Sequence, residues 1–222
     1  MSRAPWQIGL LFGSALVVII GLLGPLALFN PSFTSILQGR HDVAEAIGTT
    51  PEEVQRLTAS FLVDLYTDGR FDAALEGEDQ PFLDASERSH MRDVGALVRT
   101  LAVVLIGSLV VAAACGWWMR REPARIGRIM VITAATVGGA ALIVAIAFAV
   151  AFDAAFTAFH QVFFEAGTWQ FALGSNLITL FPEPFWFDAA LVAGAVILLV
   201  AAIVSVVGFW LWRTGRTPSG TA

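Results

Sequence analysis

Four long apolar stretches dominate the pattern of the chain, at residues 6–29, 94–119, 129–152 and 189–212. A helix needs about 20 apolar residues to cross the hydrocarbon core of a bilayer. Each stretch reaches that length as a continuous run, without the alternation typical of a barrel strand. The pattern therefore predicts four transmembrane helices. The first run exceeds the roughly 7–15 apolar residues of a secretory signal, and we interpret it as a retained helix.

The arginines predict the orientation of these helices, because positive charge beside a span is retained in the cytoplasm. Seven of the 13 arginines lie in the short connection 120–128, in the tail 213–222 and at Arg3, whereas the connection 30–93 has five arginines among 13 acidic residues. Both termini are thus expected in the cytoplasm. The two other connections, 30–93 and 153–188, are expected outside, where together they form a small cap. Because the inner loop is short, the second and third spans are predicted to be antiparallel neighbours.

Each outer connection contains predicted helical structure. Thr50, Pro51 and Glu53 are typical of a helix start with a capping box, and Ser86 is expected to cap a helix that continues into the second span. In 153–188, phenylalanines recur at helical spacing until Gly167 breaks the pattern. So many rings favour a segment in the headgroup zone or packed under the cap.

Composition narrows the class of protein. The chain is 57% hydrophobic and 14% charged, with a net charge of −5, whereas soluble domains carry about 25% charged residues. A cytosolic enzyme and a basic nucleic-acid binder are excluded. The lone Cys115 also excludes a disulfide framework and a cysteine-based zinc cluster.

Two of the three histidines are candidates for catalysis. His90 precedes the second span and His160 follows the third, so neighbouring spans can bring the imidazoles to one depth. A pKa of about 6.5 makes both protonation states accessible for general acid and base chemistry. The alternative is that both are ordinary interfacial histidines. His41, in a polar stretch, is expected to be solvated and inactive.

Charged neighbours of these histidines have several possible roles. Glu87 and Asp93 lie one turn before and after His90 and are candidates to orient its ring. Glu87 is otherwise a helix N-terminal acid, and Asp93 an ion-pair partner of an arginine. A zinc site of His90, Asp93 and His160 is the competing hypothesis, but this spacing is weakly specific. We predict no metal and no cofactor. Arg99 either snorkels outward or binds a lipid phosphate or an acidic partner.

Two groups of residues resemble a known family. The first is Glu87-x-x-His90-Met91-x-Asp93-Val94. The second runs from Phe159-His160-x-x-Phe163-Phe164 through Gly167-Thr168-Trp169-x-Phe171 to Leu177-Ile178-x-Leu180-Phe181-Pro182-x-x-Phe185. They are similar to the bacterial lipoprotein intramolecular transacylases (Lit), four-helix membrane proteins with an extracellular cap. The chain departs from the family at Ser175-Asn176, where an Asp is usual, and at Phe33-Thr34, where Phe-Tyr is usual.

The resemblance implies an acyltransferase of the bacterial cell membrane. Such an enzyme moves an acyl chain from the glyceryl sn-2 oxygen to the α-amine of a lipoprotein's N-terminal diacylglyceryl-cysteine, giving a lyso-form lipoprotein. His90 and His160 match the catalytic histidines of the family. We expect membrane lipid and this lipoprotein N-terminus as partners, and no nucleic acid. The expected substrate-binding residues are Phe156, Phe159, Phe163, Phe164, Trp169 and Arg99.

Two other functions stay open at this point. One is a non-enzymatic membrane module that binds envelope partners through the acidic stretch Asp68–Asp84. The other is a metal-assisted membrane hydrolase that cleaves lipid esters.

Overall fold

The computed structural model describes residues 4–67 and 69–216, and the regular structure within them is helical. Arg3, Asp68 and residues 217–222 of the predicted tail lie outside the described residues. The helices are α1 (Trp6–Ala27), α2 (Pro31–Arg40), α3 (Val43–Ile47), α4 (Pro51–Tyr66), α5 (Ala85–Trp118), α6 (Pro123–Val150), α7 (Phe152–Phe163), α8 (Asn176–Leu180) and α9 (Glu183–Thr214).

Four of these helices, α1, α5, α6 and α9, are long and apolar enough to cross a membrane. Each contains one of the four apolar stretches or most of it. The helices α5 and α9 begin ahead of the predicted spans, at Ala85 and Glu183. Pro184 does not prevent this, because it lies in the first turn of α9, where no intrahelical N–H bond is lost. Only residues 119–122 separate α5 from α6. The protein is thus an all-helical membrane protein with four candidate spans.

The structure confirms the predicted N-cap of α4 but not its capping box or the predicted N-cap of α5. Thr50 Oγ1 accepts a hydrogen bond from the Glu53 amide (3.2 Å) at the start of α4, as expected. The Glu53 carboxylate does not complete a capping box, since it accepts from Arg56 and from the Glu76 amide instead. The prediction of Ser86 as the cap of α5 was wrong. Asp84 Oδ1 accepts from the Glu87 amide (2.9 Å) and is the cap.

The chain divides into two compact units, of which the first comprises residues 1–25, 102–145 and 193–222. Its apolar cores are formed by Phe12, Leu16, Ile19, Cys115 and Met119, and by Ile20, Ala134 and Ala201. Helices α6 and α9 approach closely at Gly127 and Gly208. A Cβ added to Gly208 would lie 2.9 Å from the Gly127 carbonyl oxygen. The pair therefore packs backbone against backbone, as small residues allow between membrane helices.

The second unit comprises residues 26–101 and 146–192 and so combines both connections assigned to the cap. The apolar face predicted for α4 forms its core, since Val54, Leu57, Phe61 and Leu65 are all buried. The buried Gln38 donates to Thr58 Oγ1 (2.9 Å) and to the Leu180 carbonyl (3.3 Å). This side chain joins α2, α4 and α8, and it satisfies polar groups that burial would otherwise penalise.

Candidate active site

His90 lies in the second turn of α5, and the start of that helix is fixed by Glu87. The Glu87 side chain is buried, with 1% of its surface exposed. Its Oε2 accepts from the Asp84 amide and its Oε1 from the Leu177 amide, both at 2.8 Å. These charge-assisted bonds tie the start of α5 to α8. Glu87 therefore does not orient the His90 ring, and that prediction was wrong.

His160 lies in the last turn of α7, the aromatic helix that the phenylalanine spacing predicted. Its Nδ1 is 2.8 Å from the carbonyl oxygen of Phe156, one turn earlier. Since a carbonyl only accepts, Nδ1 carries the proton of the neutral ring, and Nε2 presents its lone pair. Burial lowers the pKa of His160 below its ordinary value, and the hydrogen bond to Phe156 offsets part of that effect.

The two histidines converge, as the sequence predicted. Their ring centroids are 6.1 Å apart, and the ring planes are inclined by 28°. Phe164 contacts both rings, with its centroid 4.8 Å from that of His90 and 5.5 Å from that of His160. His90 is buried, with 6% of its surface exposed. Its Nδ1 has no hydrogen-bond partner among the described residues. A water-poor site therefore holds two imidazoles side by side.

Aromatic rings enclose His160 on several sides. Phe156 is 4.1 Å from it between centroids, Trp169 4.8 Å and Phe159 5.4 Å. Gly167, with φ +86°, supplies the backbone turn that brings Trp169 back against α7. Phe163 does not reach the imidazole. It contacts Phe159 and is 47% exposed, and its role in substrate binding stays a prediction.

Two charged candidates lie away from the histidine pair. Arg99 follows His90 by nine residues, which places it on the opposite face of α5. Its Nη1 donates to the carbonyls of Leu65 (3.1 Å) and Thr67 at the end of α4, where it caps that helix. Asp93 is exposed and has no hydrogen bond or ion pair with any described residue. Neither side chain orients His90.

The structure also adds features that the sequence did not single out. Phe171 is 5.7 Å from His90 between centroids and closes the site on that side. The expectation that His41 is solvated was wrong, because its Nε2 is 3.1 Å from Asp188 Oδ2. Partners so distant along the chain leave no local sequence signal. Among the described residues, no group of three His, Cys, Asp or Glu side chains could hold a metal ion.

A small pocket is bounded in part by two of the rings that pack on His160. It has a volume of about 120 Å³ and is lined by Gln161, Phe164, Ala166, Trp169 and Gln170. Phe164 and Trp169 also contact His160. Neither histidine lines the pocket itself, so these two rings are what connects it to the histidine pair.

Comparison with known proteins places this geometry in a family. Residues 9–186 match the family model for "Lipoprotein intramolecular transacylase Lit". The chain is also similar to the solved membrane-integral Lit of Bacillus cereus, with 16% identity and a TM-score of 0.78, covering 95% of this chain and 96% of the other. Two variants of that protein, with a histidine replaced by arginine or alanine, match with TM-scores of 0.76 and 0.77.

No match was found among curated proteins. At 16% identity, the solved structures establish the shared fold, and the family match covers well over half of the sequence. The chain therefore belongs to the lipoprotein intramolecular transacylase (Lit) family of acyltransferases.

Proposed function

We propose that this chain transfers an acyl group from the sn-2 oxygen to the α-amine of a lipoprotein's N-terminal diacylglyceryl-cysteine, giving the lyso-form. The observation that carries the proposal is the pairing of His90 and His160 at 6.1 Å inside an aromatic cluster, in a chain of this family. A primary amine is largely protonated at neutral pH, since its pKa is near 8. A base close to the amine is therefore needed before it can attack an ester.

His160 is the better candidate for this base. The Phe156 carbonyl holds the ring proton on Nδ1, which leaves Nε2 free to accept a proton from the substrate amine. The same hydrogen bond stabilises the imidazolium that forms when the proton arrives. A neighbouring carbonyl thus plays the orienting role that a carboxylate plays in a catalytic triad.

His90 then serves the leaving group. Attack of the amine nitrogen forms the C–N bond, and collapse of the intermediate breaks the bond between the acyl carbon and the glyceryl oxygen. An ammonium form first loses its extra proton, by way of His160, to solvent. The neutral amine nitrogen then loses one proton during acyl transfer and the glyceryl oxygen gains one, so in that step the two imidazoles need only carry a proton between them. Two imidazolium ions 6 Å apart in a buried site would repel each other, which favours one shared proton.

Confinement supplies the rest of the catalysis. Nucleophile and ester belong to one molecule, and well-oriented intramolecular attack lowers a barrier by about 7–11 kcal/mol. We assign this orienting role to the rings packed around the histidines, namely Phe156, Phe159, Phe164, Trp169 and Phe171. Exclusion of water by these rings also protects the ester from hydrolysis.

We further propose that the protein lies in the bacterial cell membrane with both termini in the cytoplasm. The arginine-rich connection between α5 and α6 supports this orientation. The second compact unit, which carries the histidines, would then face outward, where lipoproteins are anchored in the membrane lipid.

Mass spectrometry of lipoprotein N-termini tests the reaction. The gene is expressed in cells that lack another N-acylating enzyme, and the ratio of lyso-form to diacyl lipoprotein is measured. His90→Ala and His160→Ala are expected to abolish the conversion at normal protein abundance. His41→Ala is the matched control, because His41 pairs with Asp188 outside the aromatic cluster. Conversion by the His90→Ala/His160→Ala double variant at the wild-type rate would refute the proposal.

A further inference from the structure

Two buried polar side-chain atoms of the described residues have no hydrogen-bond partner, and both belong to side chains that pack on His160. They are Nδ1 of His90 and Nε1 of Trp169. The centroids of these rings lie 6.1 Å and 4.8 Å from that of His160. Buried polar side-chain atoms are hydrogen-bonded in the large majority of cases. Two unpaired atoms in one cluster therefore need an explanation.

Of these two atoms, Trp169 Nε1 indicates more about a ligand, because an indole nitrogen can only donate a hydrogen bond. A ring buried solely for packing needs no N–H, and phenylalanine fills the other positions around His160. Trp169 also lines the 120 Å³ pocket, together with Phe164, whose ring contacts both histidines. That volume is ample for a few ligand atoms, since a water site needs roughly 10–15 Å³.

Two hydrogen bonds anchor the backbone just before Trp169, and the ring itself packs on His160. Thr168 donates from its amide (3.2 Å) and from its Oγ1 (2.9 Å) to the Glu165 carbonyl, across the turn at Gly167. A donor held in advance of the reaction stabilises developing charge without reorganisation. Gln161 and Gln170 also line the pocket, but both are exposed, where water competes for their amides.

We propose that the Trp169 indole N–H donates a hydrogen bond to the carbonyl oxygen of the acyl group that is transferred. This inference rests on the proposed function. When the amine nitrogen bonds to the acyl carbon, the C=O electron pair moves onto that oxygen, which becomes an oxyanion. The pair returns when the bond to the glyceryl oxygen breaks, and the glyceryl oxygen takes the proton lost by the amine. Trp169 stabilises the oxyanion and exchanges no proton.

The variant Trp169→Phe tests this role, since it keeps an aromatic ring and removes the donor. Loss of one oxyanion donor lowers turnover by about 10²–10³-fold in other acyl transfers. We expect a loss of about 10²-fold in kcat with KM nearly unchanged. Trp186→Phe is the matched control, because Trp186 packs on Phe181 and Phe185 instead, and its kcat should equal that of the wild type.

A binding measurement keeps the test independent of turnover. A phosphonate analogue of the substrate mimics the tetrahedral oxyanion, whereas an ether analogue lacks the carbonyl. On purified folded protein, Trp169→Phe should weaken phosphonate binding by about 10²-fold and leave ether binding unchanged. Equal phosphonate affinity, or a loss confined to KM, would overturn the assignment of the oxyanion donor.

The two proposals fail differently. If His90→Ala and His160→Ala are inactive while Trp169→Phe turns over normally, only the role of Trp169 is refuted. If the histidine variants retain full activity, the proposed acid–base function is refuted as well.

Discussion

The buried carboxylate of Glu87 offers a quantitative test of how the site is held together. Its two oxygens each accept one backbone amide, from Asp84 and Leu177, at 2.8 Å. Hydrogen bonds to a charged group contribute about 1.5–3 kcal/mol each. In Glu87→Gln, the amide oxygen can still accept one N–H, but the NH₂ group faces the other. We therefore expect a loss of about 2 kcal/mol in the free energy of unfolding, and roughly twice that for Glu87→Ala, which removes both acceptors.

Thermal melting in detergent micelles checks this prediction. For a chain of this length, 1 kcal/mol corresponds to about 2–4 °C in Tm, so Glu87→Gln should melt about 4–8 °C below the wild type. Asp93→Asn, an exposed change in the same helix, should stay within about 0.5 kcal/mol. A Glu87→Gln protein that melts with the wild type would refute the reasoning that the charged carboxylate satisfies both amides.

Three further predictions follow from the same structure. The kcat, which reports groups of the enzyme–substrate complex, should fall as pH decreases through the pKa of His160. Because burial lowers that pKa, the half-maximal kcat should lie below pH 6.5; the same limb in His160→Ala would contradict this cause. Arg99→Met should lower the free energy of unfolding by about 1–3 kcal/mol, because the cap of α4 is lost, and should leave turnover per folded molecule unchanged. A selective loss of turnover would show that Arg99 acts on substrate. Gly127→Ala should destabilise the fold by about 1–3 kcal/mol, since a Cβ there meets the Gly208 carbonyl oxygen, whereas Gly139→Ala, with open space around it, should melt at or above the wild-type temperature.

Periodic features were predictable from the sequence because they depend on local geometry. The four apolar runs correspond to α1, α5, α6 and α9. The phenylalanine spacing predicted α7. The convergence of His90 and His160 was also predictable from the sequence, because each imidazole borders a span and a short connection joins the two spans.

The partners of the charged groups were not predictable in this way. Glu87 binds an amide 90 residues later, and His41 meets Asp188 across 147 residues. Arg99 caps a helix that ends 33 residues before it. A side chain in such a contact satisfies a backbone group or charge that only the folded chain brings near, so local spacing could not identify the partner.

The two faces of α7 have a consequence for selectivity. His160 faces the aromatic cluster, while Val162 and Phe163 remain 75% and 47% exposed on the outside. The pocket beside His160, at about 120 Å³, is far smaller than the roughly 300–1,000 Å³ cavities that enclose whole ligands. A fatty tail held at this site would therefore extend over the outer rings instead of entering a closed tunnel. We expect such an enzyme to process short and long tails at similar rates, because this pocket is too small to measure their length.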